Sequence, residues 1–424
     1  MSADAVTPWL VGATVFLLPL RALSPVLSSF VSLGLLLGVA ILPVILPTPR
    51  RFWLGTPILF TFAALFISAP VMWGLADDRR IDQQSALLTL LIATAAAVQF
   101  CLVLWARRYL TSPTIVALYA AGAAAQAFLS SSPAFQANPW KFGLAAPLAL
   151  LLLAFTQRLP QVLTLVALAG IAVVSIAFDY RSFVGLALIT AVTLIAFRPA
   201  RNGRLWLRAL LIGVAAFATY LLLTQLALQG WLGERNQMVT RAQIEQSGSV
   251  LAGGRSETAA AIALFAQRPL GLGPGVQPSA ADISVGKTAL YERGLNIEGT
   301  YVQDYLFGDG IKLHSVAADL WLNYGPAGLA IALMFVITIA VGVSGSLRGR
   351  RPNPLMIFLG TLALWDLAFS PIGTNLWQVV FAVAMLMPEL EKASGAPGWT
   401  PRSSRRRPSD DLAIPAALRL ERLT

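Results

Sequence analysis

The chain has one histidine, His314, in Lys312-Leu313-His314-Ser315, followed by Asp319 slightly more than one helical turn later and then by Gly325 and Gly328. With an ordinary pKa of about 6.5, an imidazole can accept the proton of an alcohol nucleophile near neutral pH; it can equally be a polar tip at a membrane surface. Asp319 stands within reach to orient or pair with it. Two arginines have the other chemistry of interest. Arg181 lies in Asp179-Tyr180-Arg181-Ser182, and Arg255 in Gly253-Gly254-Arg255-Ser256-Glu257 ahead of a helix-compatible stretch, Thr258 to Ala266. A guanidinium is a planar fork of donors suited to phosphate, although Arg181 could also snorkel or pair with Asp179. After that stretch come Pro269-Leu270-Gly271-Leu272-Gly273-Pro274-Gly275, whose glycines permit tight backbone turns and close approach of a ligand to the backbone. The run lacks the Gly-Lys-Ser/Thr of a nucleotide-binding loop.

The elements that hold these residues follow from composition. Of 424 residues, 57% are hydrophobic and only 12% charged, which excludes a soluble enzyme, a disordered chain and a disulfide scaffold. Twelve apolar windows are expected to cross a membrane: Pro8 to Leu20, Leu23 to Leu46, Phe52 to Ala76, Ser85 to Trp105, Ser112 to Leu129, Phe142 to Phe155, Leu159 to Phe178, Ser182 to Phe197, Ala209 to Leu228, Gly325 to Val343, Pro354 to Ile372 and Leu376 to Met387. The expected fold class is an all-α polytopic membrane protein. Its divisions are 1–228 with nine helices, a large, partly helical outer loop at 229–313, three helices in 314–390, and a basic tail at 391–424.

The net charge of +11 is read as topology and not as nucleic-acid binding. With the N-terminus inside, 19 of the 31 Lys and Arg residues fall on the inner side and 5 in short outer loops, so both termini are expected in the cytoplasm. The first apolar run is followed by Arg21 and a second such run, so it is expected to stay as a helix and not to be cleaved. In the tail, Arg405, Arg406 and Arg407 suit anionic membrane lipid, or belong to a flexible end. Cys101 is alone and His314 is alone, so no disulfide, cysteine metal site or site of several histidines is expected; the outer carboxylates form no recognisable Asp-x-Asp metal pattern, and neither a metal nor a cofactor is expected.

Taken in order, Tyr180-Arg181-Ser182, then Arg-x13-Pro-x-Gly-x-Gly-x-Gly from Arg255, then His-Ser-x9-Gly-x-x-Gly from His314 resemble the O-antigen ligase and polymerase superfamily. Ala259 stands where that family often has tryptophan, and Asn323 where it often has an acidic residue. The resemblance implies a membrane glycosyltransferase of the GT-C type that acts at the periplasmic face of the bacterial inner membrane. Its donor would be an undecaprenyl-diphosphate-linked glycan and its acceptor lipid A-core. It implies Arg181 and Arg255 on the pyrophosphate and His314 beside the acceptor hydroxyl, with Tyr180, Ser315 and Asp319 as substrate-binding residues and inverting transfer without a metal. A polymerase of repeat units, a protein-directed oligosaccharyltransferase and, from another class, a transporter are the competing functions. The single long outer loop favours the ligase, and the scarcity of charge inside the apolar windows disfavours transport.

Overall fold

The computed structural model describes residues 3–21, 31–76, 79–130, 132–197, 205–231, 233–247, 250, 257–308, 310–348 and 352–390. The chain divides into two units, Met1–Glu389 and Leu390–Thr424; of the second, only Leu390 is among the described residues. The first unit is helical. It begins with α1 (Ala3–Leu17), then α2 (Leu33–Ala40) and α3 (Leu42–Ile45), which bend sharply at Ile41, then α4 (Gly55–Gly74), α5 (Gln83–Ala106), α6 (Ser112–Leu129) and the short α7 (Pro133–Ala137). A wide turn at Trp140–Leu144 leads into α8 (Ala145–Thr156), α9 (Gln161–Ala177), α10 (Arg181–Ala196) and α11 (Leu205–Leu228). The long loop contains α12 (Glu234–Ser247), α13 (Glu257–Gln267), α14 (Ala280–Tyr291) and a single wide turn of π-helix at Tyr301–Leu306. The chain then closes with α15 (Val316–Arg348), α16 (Pro354–Phe369) and α17 (Ile372–Leu386).

Each of the twelve apolar windows is at least partly helical, but the helices differ in reach. Among the described residues α4, α5, α6 and α15 are long and apolar enough to cross a membrane, and a fifth span results if the bent pair at Leu33–Ala40 and Leu42–Arg51 is one crossing. The others are shorter: α10, for example, has 16 residues, about 24 Å at 1.5 Å per residue, against a hydrocarbon core of about 30 Å. Its length is limited by Arg181 at one end and by the polar segment after Phe197 at the other. Large apolar side chains stand exposed on the outside of these helices, Phe60 and Phe155 at about 70% and Leu333 at 60%. Such a surface is at home in lipid.

The two ends of the bundle are closed differently. At one end Arg107, capping α5, donates to the carbonyls of Ala384 (2.7 Å) and Met387 (2.8 Å), lies over the ring of Phe52 and faces Glu389 at 3.7 Å. At the other end the glycine-rich segment packs into a break in α15. Gly325 leaves helical geometry (φ 58°, ψ −137°), and Pro326 has no N–H for the Leu322 carbonyl that an unbroken helix would satisfy. The N–H groups of Leu272 (2.8 Å) and Gly273 (3.1 Å) bond that carbonyl instead, while Trp321 Nε1 donates to Pro269 O (2.9 Å). A Cβ on Gly271 would stand 2.5 Å from Trp321 O, and one on Gly325 2.5 Å from Leu270 O. The glycines therefore admit other backbone. Positive φ at Gly271, Gly273 and Gly275 makes the tight turns expected of them, and the neighbours that come close are parts of the chain itself.

The same segment is held by charge. Asp282, fully buried at the first turn of α14, completes a capping box with Ser279 and receives Arg268 Nε (3.0 Å) and Arg79 Nε (3.3 Å). Burial pushes this carboxyl up, but the Ser279 bonds and Arg268 outweigh that effect and hold it below its ordinary value. Its stabilising contribution is thus complete above the ordinary carboxyl range near pH 4 and lost as pH falls through the lowered value. Asp282→Asn should therefore speed limited proteolysis between residues 268 and 291 at pH 7, and acidification should narrow the gap between variant and wild type. Equal cleavage rates at pH 7 would show that the clamp contributes nothing.

Candidate active site

Asp179 takes a left-handed backbone conformation (φ 54°) that turns the chain from α9 into α10. Asparagine and aspartate tolerate that geometry better than other side chains. The turn is fastened from outside: Asn138 Nδ2 donates to Phe178 O (2.7 Å), Trp140 Nε1 to Ser175 Oγ (3.0 Å), and Tyr180 N to Ser175 O (2.8 Å). Tyr180 stacks on Phe183 at 5.1 Å, and Arg181, the first residue of α10, donates Nη1 to Thr240 Oγ1 of α12 at 2.7 Å. Thr240 is fully buried, so the guanidinium is tethered to the long loop.

His314 is fixed by its neighbours. Its own φ is 49°, a left-handed conformation that must be imposed by the surroundings. On one side Leu313 N donates to Asp319 Oδ1 (2.9 Å); on the other Ser315 Oγ donates to Leu367 O (2.9 Å) and accepts from Ala318 N (3.2 Å). The second oxygen of Asp319 receives Ile372 N at 3.1 Å. Asp319 therefore binds two backbone amides and not the imidazole, and Ser315 holds the end of α16. Neither is among the residues that line the cavity described next, and both side chains are engaged in positioning His314.

Tyr180, Arg181 and His314, distant in sequence, line one cavity of about 1690 Å³ between the bundle and the long loop. Arg255 lies outside the described residues. Around His314 the cavity wall is aromatic: Tyr301 and Tyr305 stack on each other (5.6 Å, 8°), and the imidazole sits 5.0 Å from the Tyr305 ring. The Tyr301 hydroxyl donates to Glu257 Oε1, leaving its oxygen to accept, and His314 Nδ1 lies 3.5 Å away. In the tautomer protonated on Nδ1 the imidazole can donate to that oxygen, and Nε2 is then the basic atom of the ring. Burial, and then the charges of Asp319 and Glu257, push the Tyr305 phenol up, so it is neutral at physiological pH.

A second polar group lines the same cavity. Arg21 lies over the Trp377 ring at 4.6 Å, its backbone N–H donates to Gln126 Oε1 (2.7 Å), and burial lowers its guanidinium to about 10. Asp366 of α16 lines it too. Sequence reasoning gave no role to Arg21, Tyr301, Tyr305 or Asp366, and named Glu257 without one. Asp366 had a usable signal, being the only charge in the last three apolar windows, where an ionisable group points to function.

Compared with known proteins, the chain matches no family model, no curated protein and no solved structure. The site is argued from its geometry.

His314 gives the only imidazole resonance, so its titration by NMR reads one group. Removing the carboxylate charge at the end of the chain, with Glu257→Gln, should lower the His314 midpoint by a few tenths of a pH unit to about one unit, because a nearby negative charge favours imidazolium. An unchanged midpoint would mean that Tyr301 does not couple the two residues.

Proposed function

We propose that this protein is a membrane glycosyltransferase of the O-antigen ligase kind, which moves a glycan from undecaprenyl diphosphate to lipid A-core on the periplasmic face of the bacterial inner membrane. The observation that carries the reading is the convergence of Tyr180, Arg181 and His314 on one large cavity bounded by the long loop. In this proposal all twelve apolar windows cross or enter the bilayer, the short helices as tilted or paired segments, and both termini are cytoplasmic. Arg107 and Glu389 then belong to the inner end and the Gly271–Gly275 segment to the outer end, in keeping with the charge asymmetry.

A lipid diphosphate is already a good leaving group, so the protein must bind its charge, place the acceptor hydroxyl and take up one proton. Arg181 supplies donors to the diphosphate, and Arg255 is proposed to join it. The acceptor oxygen attacks the anomeric carbon, a C–O bond forms with inversion, and the bond from that carbon to the diphosphate oxygen breaks. Undecaprenyl diphosphate leaves with the electron pair, and the acceptor proton passes to His314 Nε2 and from there to solvent. Tyr301 and Glu257 hold the tautomer that makes this possible.

Four experiments test this. Purified enzyme given undecaprenyl-linked glycan and lipid A-core should form the capped lipid; elongated lipid-linked glycan would instead indicate a polymerase, and no glycosidic product would remove the transferase reading. Arg181→Ala should cost at least about a hundredfold in transfer, with only partial recovery in Arg181→Lys. His314→Ala should lose transfer while retaining donor binding, and weak donor binding with near-normal transfer at saturation would recast the histidine as a diphosphate ligand. For topology, in a Cys101→Ser background, Glu292→Cys should react with an impermeant thiol reagent from outside and Arg108→Cys should not. Labelling of both from one side would overturn the arrangement.

A further inference from the structure

The cavity holds a second set of polar atoms that the proposed chemistry leaves unused. Asp366 is 2% exposed and lines the cavity. Its Oδ1 accepts from Ser370 Oγ (2.7 Å) and Asn375 Nδ2 (2.9 Å), whereas Oδ2 has no hydrogen-bond partner among the described residues. Two donors from the start of α17, Trp377 Nε1 and Gln378 Nε2, are likewise buried and unpartnered there, and both residues line the cavity. Leaving such groups without partners is costly, most of all for a charged one, so the set suits something that bonds to it.

The mixture of donors and an acceptor indicates what that is. A cation would be repelled by the N–H groups, and an anion by the carboxylate. Neighbouring hydroxyls of a sugar ring both donate and accept, so one ring can answer the carboxylate oxygen and the two N–H groups together. The indole of Trp365, half-buried on the same wall, adds an apolar face of the kind on which a pyranose rests. The set and the base line one cavity. The hydrogen bond from Ser315 Oγ to Leu367 O joins the two segments, with His314 one residue before the donor and Asp366 one residue before the acceptor.

We infer that Asp366, Trp377 and Gln378 form a sugar subsite that binds the acceptor's terminal ring and presents one of its hydroxyls to His314. The inference rests on the transferase reading for the acceptor's role, but binding of the ring can be tested without it. The probe is the deacylated core oligosaccharide of a rough lipopolysaccharide, measured by saturation-transfer NMR against the full chain in detergent, with inorganic pyrophosphate titrated separately. Wild-type protein should transfer saturation to ring protons. Asp366→Asn, which keeps an acceptor for Ser370 and Asn375 but puts a donor in place of Oδ2, should weaken the oligosaccharide about tenfold or more and leave pyrophosphate binding unchanged. Gln378→Leu, outside the Ser370 and Asn375 bonds, should act in the same direction and covers the case in which the Asp366 variant does not fold. No saturation transfer in wild type, or unchanged affinity in the folded variants, would overturn the subsite. Oligosaccharide binding without any glycosidic product would remove the transferase reading and keep the subsite, whereas product formed at unchanged acceptor KM in Asp366→Asn would remove the subsite alone.

Discussion

One carboxylate joins the parts of this molecule that the candidate site requires. Asp319, buried in the first turn of α15, accepts Leu313 N with one oxygen and Ile372 N with the other, tying the segment before α15 to the first residue of α17. Neither amide has a helical partner in the chain before it, and each would cost about 1–3 kcal/mol if left unsatisfied in a buried place. The pairing also sets a direction. With Leu313 held on one side and Ser315 on Leu367 at the other, His314 is forced into its left-handed conformation, with its ring among Tyr301 and Tyr305.

The break in α15 addresses the same difficulty on a larger scale. Backbone groups freed inside apolar surroundings must find partners within the protein. Pro326 removes the donor for Leu322 O, and the long loop returns two N–H groups to it from Leu272 and Gly273. The loop is consequently seated on the bundle by backbone bonds, with Trp73 Nε1 on Pro274 O (2.8 Å) and Asp82 N on Gly275 O (2.8 Å) extending the seam to α4 and α5. A loop seated in this way can carry Glu257 and Tyr301 to the histidine and Thr240 to Arg181.

Periodicity and composition made the helices legible, because these depend on local sequence. Arg181 and His314 stood out for the same reason: a rare charge at an apolar border and a unique imidazole need no tertiary knowledge to be noticed. Ser315 and Asp319 were noticed too, but spacing does not reveal direction. A carboxylate five residues after a histidine can face the ring or the backbone amides, and here the orphaned amides prevailed. Tyr301 and Tyr305 were invisible because their significance arises only when the loop folds back, and of the two uses the glycines suggested only the tight turns were readable locally, because sequence does not say which neighbour comes close.

The way in which Glu257 reaches His314 makes electrostatic sense on the transferase reading. A carboxylate bonded directly to the imidazole would fix its tautomer, but would also place a full negative charge beside an incoming diphosphate. At 4 Å and an effective dielectric of 20, two unit charges of like sign repel by about 4 kcal/mol, enough to offset much of what one arginine contributes. Placing the neutral Tyr301 between the two sets the carboxylate one phenol further away while the hydroxyl still relays its orienting effect. Asp319 meets the same constraint differently: it lies out of the cavity, with both oxygens taken by amides. Beside the imidazole the wall thus presents two phenols, and the carboxylates that do line the cavity, Asp179 and Asp366, share it with the guanidiniums of Arg181 and Arg21.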